Sequence, residues 1–249
     1  MSPTTDAQNP ADRPAQARIG LLKCGTIRTD LIPRHGDYPE LFGALLGHHP
    51  LSITTYDAEH GELPRSPGEC DGWLVSGSAN SVYDDEAWID ATGRFLSEIV
   101  AAGVPLVAVC FGHQLLAQAL GGEVRRSERG WGVGVHRYDV TADLTGWPGG
   151  GPPAHLDLLA MHQDQVTRLP EGATVLASSE HCPVAAYSLG ERVLAVQAHP
   201  EFTPELTREL IEGRIERIGS QRAEAALAEL DRPIHGDVVA DWFAAVLTN

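Results

Sequence analysis

The sequence VPLVAVC, residues 104–110, is a continuous apolar run rich in valine. A strand that is apolar at every position is typical of a parallel sheet whose two faces are both covered by helices. The segment that follows, GHQLLAQALGG (112–122), is predicted to be a helix that ends at glycines. A buried strand leading directly into a helix is the repeating unit of an α/β sheet, so this stretch restricts the chain to that class.

The rest of the first half repeats this alternation, and the second half differs from it. Further strands are predicted at 19–23, 51–58 and 72–77, with helices at 39–49 and 86–103. After residue 130 several strand-like segments follow one another across short turns, before a helix at 203–219 and two more in the tail. We therefore predict a flavodoxin-like α/β fold, with a mostly parallel central sheet flanked by helices and a mixed or antiparallel extension.

Composition limits the setting and the partners of the chain. The first 17 residues are polar and rich in proline, which indicates a disordered leader before a single domain over 18–249. Four cysteines without a C-x-x-C pair, and no secretory signal, predict a reduced cytoplasmic protein. No apolar run approaches the roughly 18 residues of a membrane span. The net charge of −16 argues against a nucleic-acid partner, because phosphate binding needs clustered Lys and Arg.

Cys110 ends the apolar strand and comes just before the predicted helix. This position places the thiol above the carboxyl edge of the sheet, where α/β folds bind ligands. It also places the thiol near a helix N-terminus, whose positive end favours a thiolate. A buried cysteine acting as a small apolar side chain is the better interpretation of Cys110 alone. A second strand, RVLAVQ, leads into His199-Pro200-Glu201, which offers a base and a group to orient it. The two strand ends together favour a cysteine-dependent hydrolase.

The motifs CFGHQLLAQALGG and VQAHPE, in this order, resemble those of the class I glutamine amidotransferases. The resemblance extends from about residue 19 to residue 215, and further segments resemble a stand-alone subgroup that is GMP-synthase-like and includes γ-glutamyl peptidases. It implies a triad of Cys110, His199 and Glu201 that forms a γ-glutamyl thioester. It also implies that Gln114 contacts the α-amino acid end of the substrate.

The resemblance implies further residues around the reacting carbonyl group. The backbone N–H groups of Phe111 and Ser78 are expected to stabilise the oxyanion, with Gly77 permitting the turn. Family members usually have a Gly-Gly-Pro-like turn where this chain has Ser76-Gly77-Ser78, which puts the resting geometry of the turn in question. His162 and Asp164 are expected to order the loop that lines the pocket, although a simple polar turn between strands explains their direct contacts equally well.

Three functions remain open from the sequence. The first is hydrolysis of glutamine, with the ammonia accepted by a separate synthetase subunit. The second is a γ-glutamyl peptidase that acts on glutathione-like conjugates or γ-glutamyl amines. The third is a non-catalytic binding module on the same fold, against which the intact triad argues. We predict no metal site and no cofactor, because no His, Cys and Asp grouping has the spacing of zinc or magnesium ligands.

Overall fold

The computed structural model describes residues 16–142, 151 and 153–249. Its strands are β1 Ala17–Leu22, β2 Leu51–Tyr56, β3 Gly72–Val75, β4 Leu106–Val109, β5 Glu123–Arg126, β6 Gly132–Val140, β7 His155–His162, β8 Asp164–Arg168, β9 Ala173–Ser178, β10 Ala186–Leu189 and β11 Val193–Val196. Its α-helices are α1 Ile32–His35, α2 Tyr38–Leu46, α3 Ala87–Ala101, α4 Phe111–Ala119, α5 Pro204–Glu212, α6 Ile215–Ile218, α7 Ser220–Ala228 and α8 Gly236–Leu247.

The central sheet has nine strands in the order β2-β1-β3-β4-β11-β10-β9-β6-β7. The pairs from β2 to β11 are parallel, and those from β11 to β7 are antiparallel. Strands β5 and β8 form a separate two-stranded antiparallel sheet. The predicted α/β fold with a parallel sheet and an antiparallel extension is therefore confirmed.

The helices cover both faces of the parallel strands, as the apolar run of β4 requires. Val107 and Val109 point into a core formed with α2, α5 and α8, whereas Leu106 and Ala108 point into a second core formed with α3 and α4. Every residue of β4 is buried. The alternation of side chains along a strand thus distributes one apolar segment between two cores.

Several predicted boundaries differ from the structure. The predicted leader extends too far, because Ala17 already pairs with Leu51 of β2, and residues 1–15 lie outside the described residues. The single helix predicted at 203–219 is divided into α5 and α6, since Gly213 and Arg214 interrupt it. Helix α1 and strands β5 and β8 were not predicted. Within the described residues, no helix is both long enough and apolar enough to cross a membrane.

Candidate active site

Cys110 occupies a strained turn between β4 and α4. Its backbone has φ 53° and ψ −103°, and in the described part of the chain it is the one non-glycine residue with positive φ. Such a conformation costs on the order of 1–3 kcal/mol and is found mostly at functional sites. Its N–H donates to the carbonyl oxygen of Val196 at 2.9 Å. A side chain at Gly112 would bring its Cβ within 2.8 Å of Val75, so the tight turn requires glycine there.

His199 and Glu201 follow β11, the parallel neighbour of β4. Val196 is in register with Val109, so both chain segments leave the sheet at the same edge. His199 Nδ1 lies 2.7 Å from Glu201 Oε1, and both side chains are buried. The ring of Phe202 stacks on the imidazole with centroids 3.9 Å apart. Because Glu201 occupies Nδ1, the other ring nitrogen of His199 is left to interact with the thiol.

The pKa of His199 is set by opposing effects. Burial lowers it, but the negative charges of Cys110 and Glu201, together with hydrogen bonds to both, raise it to about 10. The imidazole is therefore protonated at neutral pH and is paired with two acidic groups. A thiol that faces a protonated imidazole is the usual form of an activated cysteine nucleophile.

The pocket above Cys110 has a volume of about 130 Å³ and contains most of the predicted site residues. Its lining includes Cys110 and His199 as well as Ser78, Phe111, Gln114, His162 and Asp164. Gly77 is buried behind the lining, where a Cβ would lie 2.6 Å from Tyr38 Oη and 2.9 Å from His199 Cε1. The reason for glycine at 77 is therefore the space that the two neighbouring rings need, and its φ is not in the left-handed region.

Two backbone N–H groups beside the thiol have no acceptor among the described residues. They are those of Phe111, at the first turn of α4, and of Ser78, in the turn after β3. The Ser78 side chain accepts a hydrogen bond from the N–H of Asn80 at 3.2 Å, which fixes the turn in place of a second glycine. Unpaired donors at a helix N-terminus are suited to stabilise a developing negative charge.

A hydrogen-bonded network forms the wall of the pocket that contains Gln114. The Gln114 amide donates to the carbonyl oxygen of Asp164 at 2.8 Å and to Gln197 Oε1 at 3.0 Å. The Asp164 carboxylate accepts from Ser81 Oγ at 2.6 Å and from Tyr83 Oη at 2.9 Å. Both donors of Gln114 are thus occupied, and each oxygen of Asp164 accepts one hydrogen bond. This wall therefore offers only acceptors to a substrate, namely the side-chain oxygen of Gln114 and the remaining lone pairs of the Asp164 carboxylate.

His162 also lies at the pocket, but its environment differs from that of His199. It is the last residue of β7, and its Nδ1 lies 3.1 Å from the carbonyl oxygen of Asp164. Its buried Nε2 has no hydrogen-bond partner among the described residues. Burial lowers the pKa of His162 to about 3, and the nearby His136 lowers it further. The side chain is neutral at all physiological pH values.

Sequence reasoning missed four residues that shape the site: Tyr38, Gln197, Phe202 and Arg214 line it or hold its parts. Of these, Gln197 carried a signal, because a polar residue at the end of the apolar strand RVLAVQ is fully buried only when it is hydrogen-bonded. Phe202 directly follows the His199-Pro200-Glu201 segment, but the sequence does not show that its ring stacks on the imidazole. Tyr38 and Arg214 come from segments that the sequence does not connect with Cys110.

One group of potential metal ligands occurs among the described residues, and none of its members lines the pocket. The ligand atoms of Asp57, Glu59 and His60 lie close together. Lys23 Nζ is 3.2 Å from Asp57 Oδ2 and already supplies a positive charge there. We therefore interpret the group as an ion-paired cluster and not as a metal site.

A cysteine on a strained strand-to-helix turn, beside a buried His–Glu pair, is the arrangement of enzymes that use an activated thiol. The family model for glutamine amidotransferase class-I matches residues 46–215. The chain belongs to this family and is an enzyme of this class. It is 30% identical to γ-glutamyl peptidase 5 of Arabidopsis thaliana over 202 residues, covering 79% of this chain and 80% of that protein.

Two further similarities support the family and the fold. The glutamine-hydrolysing GMP synthase of Azoarcus sp. (strain BH72) is 38% identical over 141 residues, which are 53% of this chain but 26% of the synthase. The crystal structure of a glutamine amidotransferase from Methylobacillus flagellatus superposes with a TM-score of 0.68 at 24% identity, covering 94% of this chain and 93% of that one.

Proposed function

We propose that this enzyme hydrolyses γ-glutamyl amides through a γ-glutamyl thioester on Cys110. The observation that carries the proposal is the contact of three features: the strained turn at Cys110, the imidazole of His199 and the carboxylate of Glu201. Membership of the glutamine amidotransferase family supports a γ-glutamyl group as the acyl donor.

The first half of the reaction transfers the acyl group to sulfur. The Cys110 thiolate attacks the γ-carbonyl carbon, and the oxyanion accepts hydrogen bonds from the N–H groups of Phe111 and Ser78. His199 donates its proton to the departing nitrogen as the C–N bond breaks. Glu201 holds the imidazole in one orientation throughout. The products of this half are the thioester and free ammonia or a free amine.

The second half releases glutamate. The neutral His199 takes a proton from water, and the resulting hydroxide attacks the thioester carbonyl carbon. The C–S bond breaks, and the sulfur returns as a thiolate beside the protonated imidazole. No additional acid or base is required, because His199 performs both proton transfers.

The comparisons favour γ-glutamyl amides larger than glutamine. Similarity to γ-glutamyl peptidase 5 extends over 80% of that protein, whereas similarity to the GMP synthase extends over 26% of it. The second candidate is hydrolysis of glutamine that supplies ammonia to a separate synthetase subunit, and the 38% identity to the GMP synthase supports it. Both use the same thioester and differ in the leaving group.

Turnover of a substrate panel tests the proposal. Glutamine, γ-glutamyl dipeptides and γ-glutamyl amines are incubated with the enzyme, and glutamate, amine and ammonia are quantified by mass spectrometry. We expect Cys110→Ala to reduce kcat by about 10⁴-fold or more while the fold is retained, because it removes the nucleophile. Unchanged turnover by Cys110→Ala would move the reaction to another residue.

Labelling with a glutamine-site diazo-ketone provides an independent measurement. Burial raises the pKa of Cys182 to about 12, and it also raises the pKa of Cys24 and Cys70. Those three thiols are therefore unreactive at neutral pH. We expect the native protein to be modified at Cys110, and equal modification of all four cysteines contradicts an activated thiol.

A further inference from the structure

Three arginines from two segments of the chain line the same pocket as Cys110. Arg28 lies between β1 and α1, Arg214 between α5 and α6, and Arg217 within α6. This grouping is unexpected in a chain with 34 acidic and only 18 basic residues. The lining contains one acidic residue, Asp164, and its carboxylate is already hydrogen-bonded to Ser81 and Tyr83.

Arg214 has a donor without an acceptor. Its Nη1 is buried and forms no hydrogen bond with the described residues. Burial lowers the pKa of Arg214, and the positive charges of Arg217 and Arg28 lower it further. A guanidinium cannot lose its proton in a protein, so the unpaired donor represents a desolvation cost. An anion in the pocket would remove this cost.

The other two arginines are held in place by their own contacts. The Arg28 guanidinium is paired with the Asp30 carboxylate, with Nε 3.1 Å from Oδ1, and its Nη1 donates to the carbonyl oxygen of Glu209 at 3.2 Å. It also packs over Gly213, where a Cβ would lie 1.7 Å from Nη1. Its charge is therefore balanced already, and Arg28 serves to position the chain at Gly213 and Arg214. Arg217 lies over the ring of Trp131, with its Cζ 5.6 Å from the ring centroid. Guanidinium groups fixed in this way lose little conformational entropy when they bind a ligand.

We propose that Arg214 and Arg217 form a carboxylate subsite for the leaving group of the substrate, with Arg28 positioning the chain beside them. The inference rests on the proposed function. The Gln114 wall provides acceptors for the glutamyl α-ammonium group. Arg214 lies close enough to Tyr38 for their charges to interact, and the Tyr38 hydroxyl and the His199 ring lie together beside Gly77. The arginines are therefore on the side of His199, which donates its proton to the leaving nitrogen. The substrate class is therefore a γ-glutamyl amino acid or peptide with a free C-terminal carboxylate.

Binding to the Cys110→Ala variant tests the subsite without turnover. The ligands are γ-glutamyl-alanine, which has the leaving-group carboxylate, and γ-glutamyl-alaninamide, which lacks it. We expect Arg214→Met and Arg217→Met, each in the Cys110→Ala background, to weaken calorimetric binding of γ-glutamyl-alanine by about tenfold or more. Binding of the amide should change less than about twofold.

Two variants keep the test decisive. Arg217 is exposed, so Arg217→Met retains the fold even if Arg214→Met does not. Gly213→Ala keeps the charges of Arg214 and Arg217 but clashes with Arg28, which should shift the chain at Arg214 and also weaken only γ-glutamyl-alanine. The exposed Arg94 of α3 lies outside the pocket, and Arg94→Met is the matched control.

The outcomes separate the two proposals. Equal weakening of both ligands would assign the arginines to the glutamyl α-carboxylate and overturn the leaving-group subsite. Unchanged binding of γ-glutamyl-alanine in every arginine variant, or no binding of it to Cys110→Ala, also overturns the subsite. The proposed function fails on a different observation, the absence of turnover by the wild-type enzyme.

Discussion

His199 and His162 line the same pocket and are equally buried, with 3% of each exposed, yet their pKa values shift in opposite directions. Burial lowers both, but the charges of Cys110 and Glu201 raise the pKa of His199 to about 10. His162 has only a backbone carbonyl oxygen as its partner, and its pKa falls to about 3. Desolvation is the same in the two places, so the neighbouring anions determine which histidine carries a proton.

The difference separates two roles within one pocket. A histidine that is protonated at rest and can give up its proton is suited to acid and base catalysis. A histidine that stays neutral forms a fixed part of the wall. The number of histidines near a thiol is therefore a poor guide to the mechanism, and the acidic partner of each is the informative feature.

Removing the carboxylate beside His199 should have the largest effect on activity and on the pKa of His199. We expect Glu201→Gln to reduce kcat/KM by about 10³-fold, because the imidazole loses its orienting carboxylate. The pKa of His199 should fall in the same variant, as measured by NMR titration of its ring protons. The exposed Glu191 provides the control Glu191→Gln. An unchanged His199 titration would show that Cys110 alone is sufficient to raise the pKa of His199.

Moving His199 without changing its charge partners should have an intermediate effect. In Gly77→Ala the new Cβ meets Tyr38 Oη and His199 Cε1 at 2.6 and 2.9 Å. We expect kcat to fall by about 10²-fold, because small displacements of a catalytic group are costly. Adding Tyr38→Phe removes the closer contact and should recover part of the loss. Gly43→Ala, where a Cβ meets nothing within 4 Å, should retain full activity.

Substitution of His162 should have the smallest effect on activity. Its pKa is about 6.5 when unfolded and about 3 when folded, so between these values the unfolded state binds a proton that the folded state does not. Stability therefore falls as the pH drops through this range, by about 1 kcal/mol per pH unit. We expect His162→Gln to reduce this slope in urea unfolding between pH 6 and 4, with kcat changed by less than about threefold.

An unchanged slope in His162→Gln would contradict the assignment of a neutral histidine. The exposed His48 lies outside the pocket, and His48→Gln is the matched control. A loss of activity as large as that of Glu201→Gln would remove the distinction between the two histidines.

The sequence was sufficient for those features that depend on local patterns. The all-apolar strand at β4 predicted a sheet buried on both faces, and the ends of β4 and β11 indicated Cys110 and His199 as partners. The buried sheet is confirmed, and Cys110 and His199 line one pocket because neighbouring parallel strands end at the same sheet edge. Their catalytic roles stay a prediction. The helix at 203–219 was predicted as continuous because its amphipathic period runs through Gly213 and Arg214 without a proline.

The remaining features depend on tertiary contacts that no local pattern records. Helix α5 ends before Gly213, where Arg28 packs too close to leave room for a Cβ, and the next residue, Arg214, lines the pocket. Strand β5, with the sequence EVRR, has a single buried residue and pairs only with β8. The opposite pKa shifts of His199 and His162 likewise require knowledge of which acidic groups surround each ring.

The position of β11 between β4 and β10 has a consequence for how activity arises in the cell. During synthesis the segment with Cys110 emerges from the ribosome well before the one with His199, and β11 must insert beside an existing strand. Non-local pairing of this kind forms late in folding. Until β11 pairs with β4, the nascent chain therefore holds Cys110 without its neighbours His199 and Glu201.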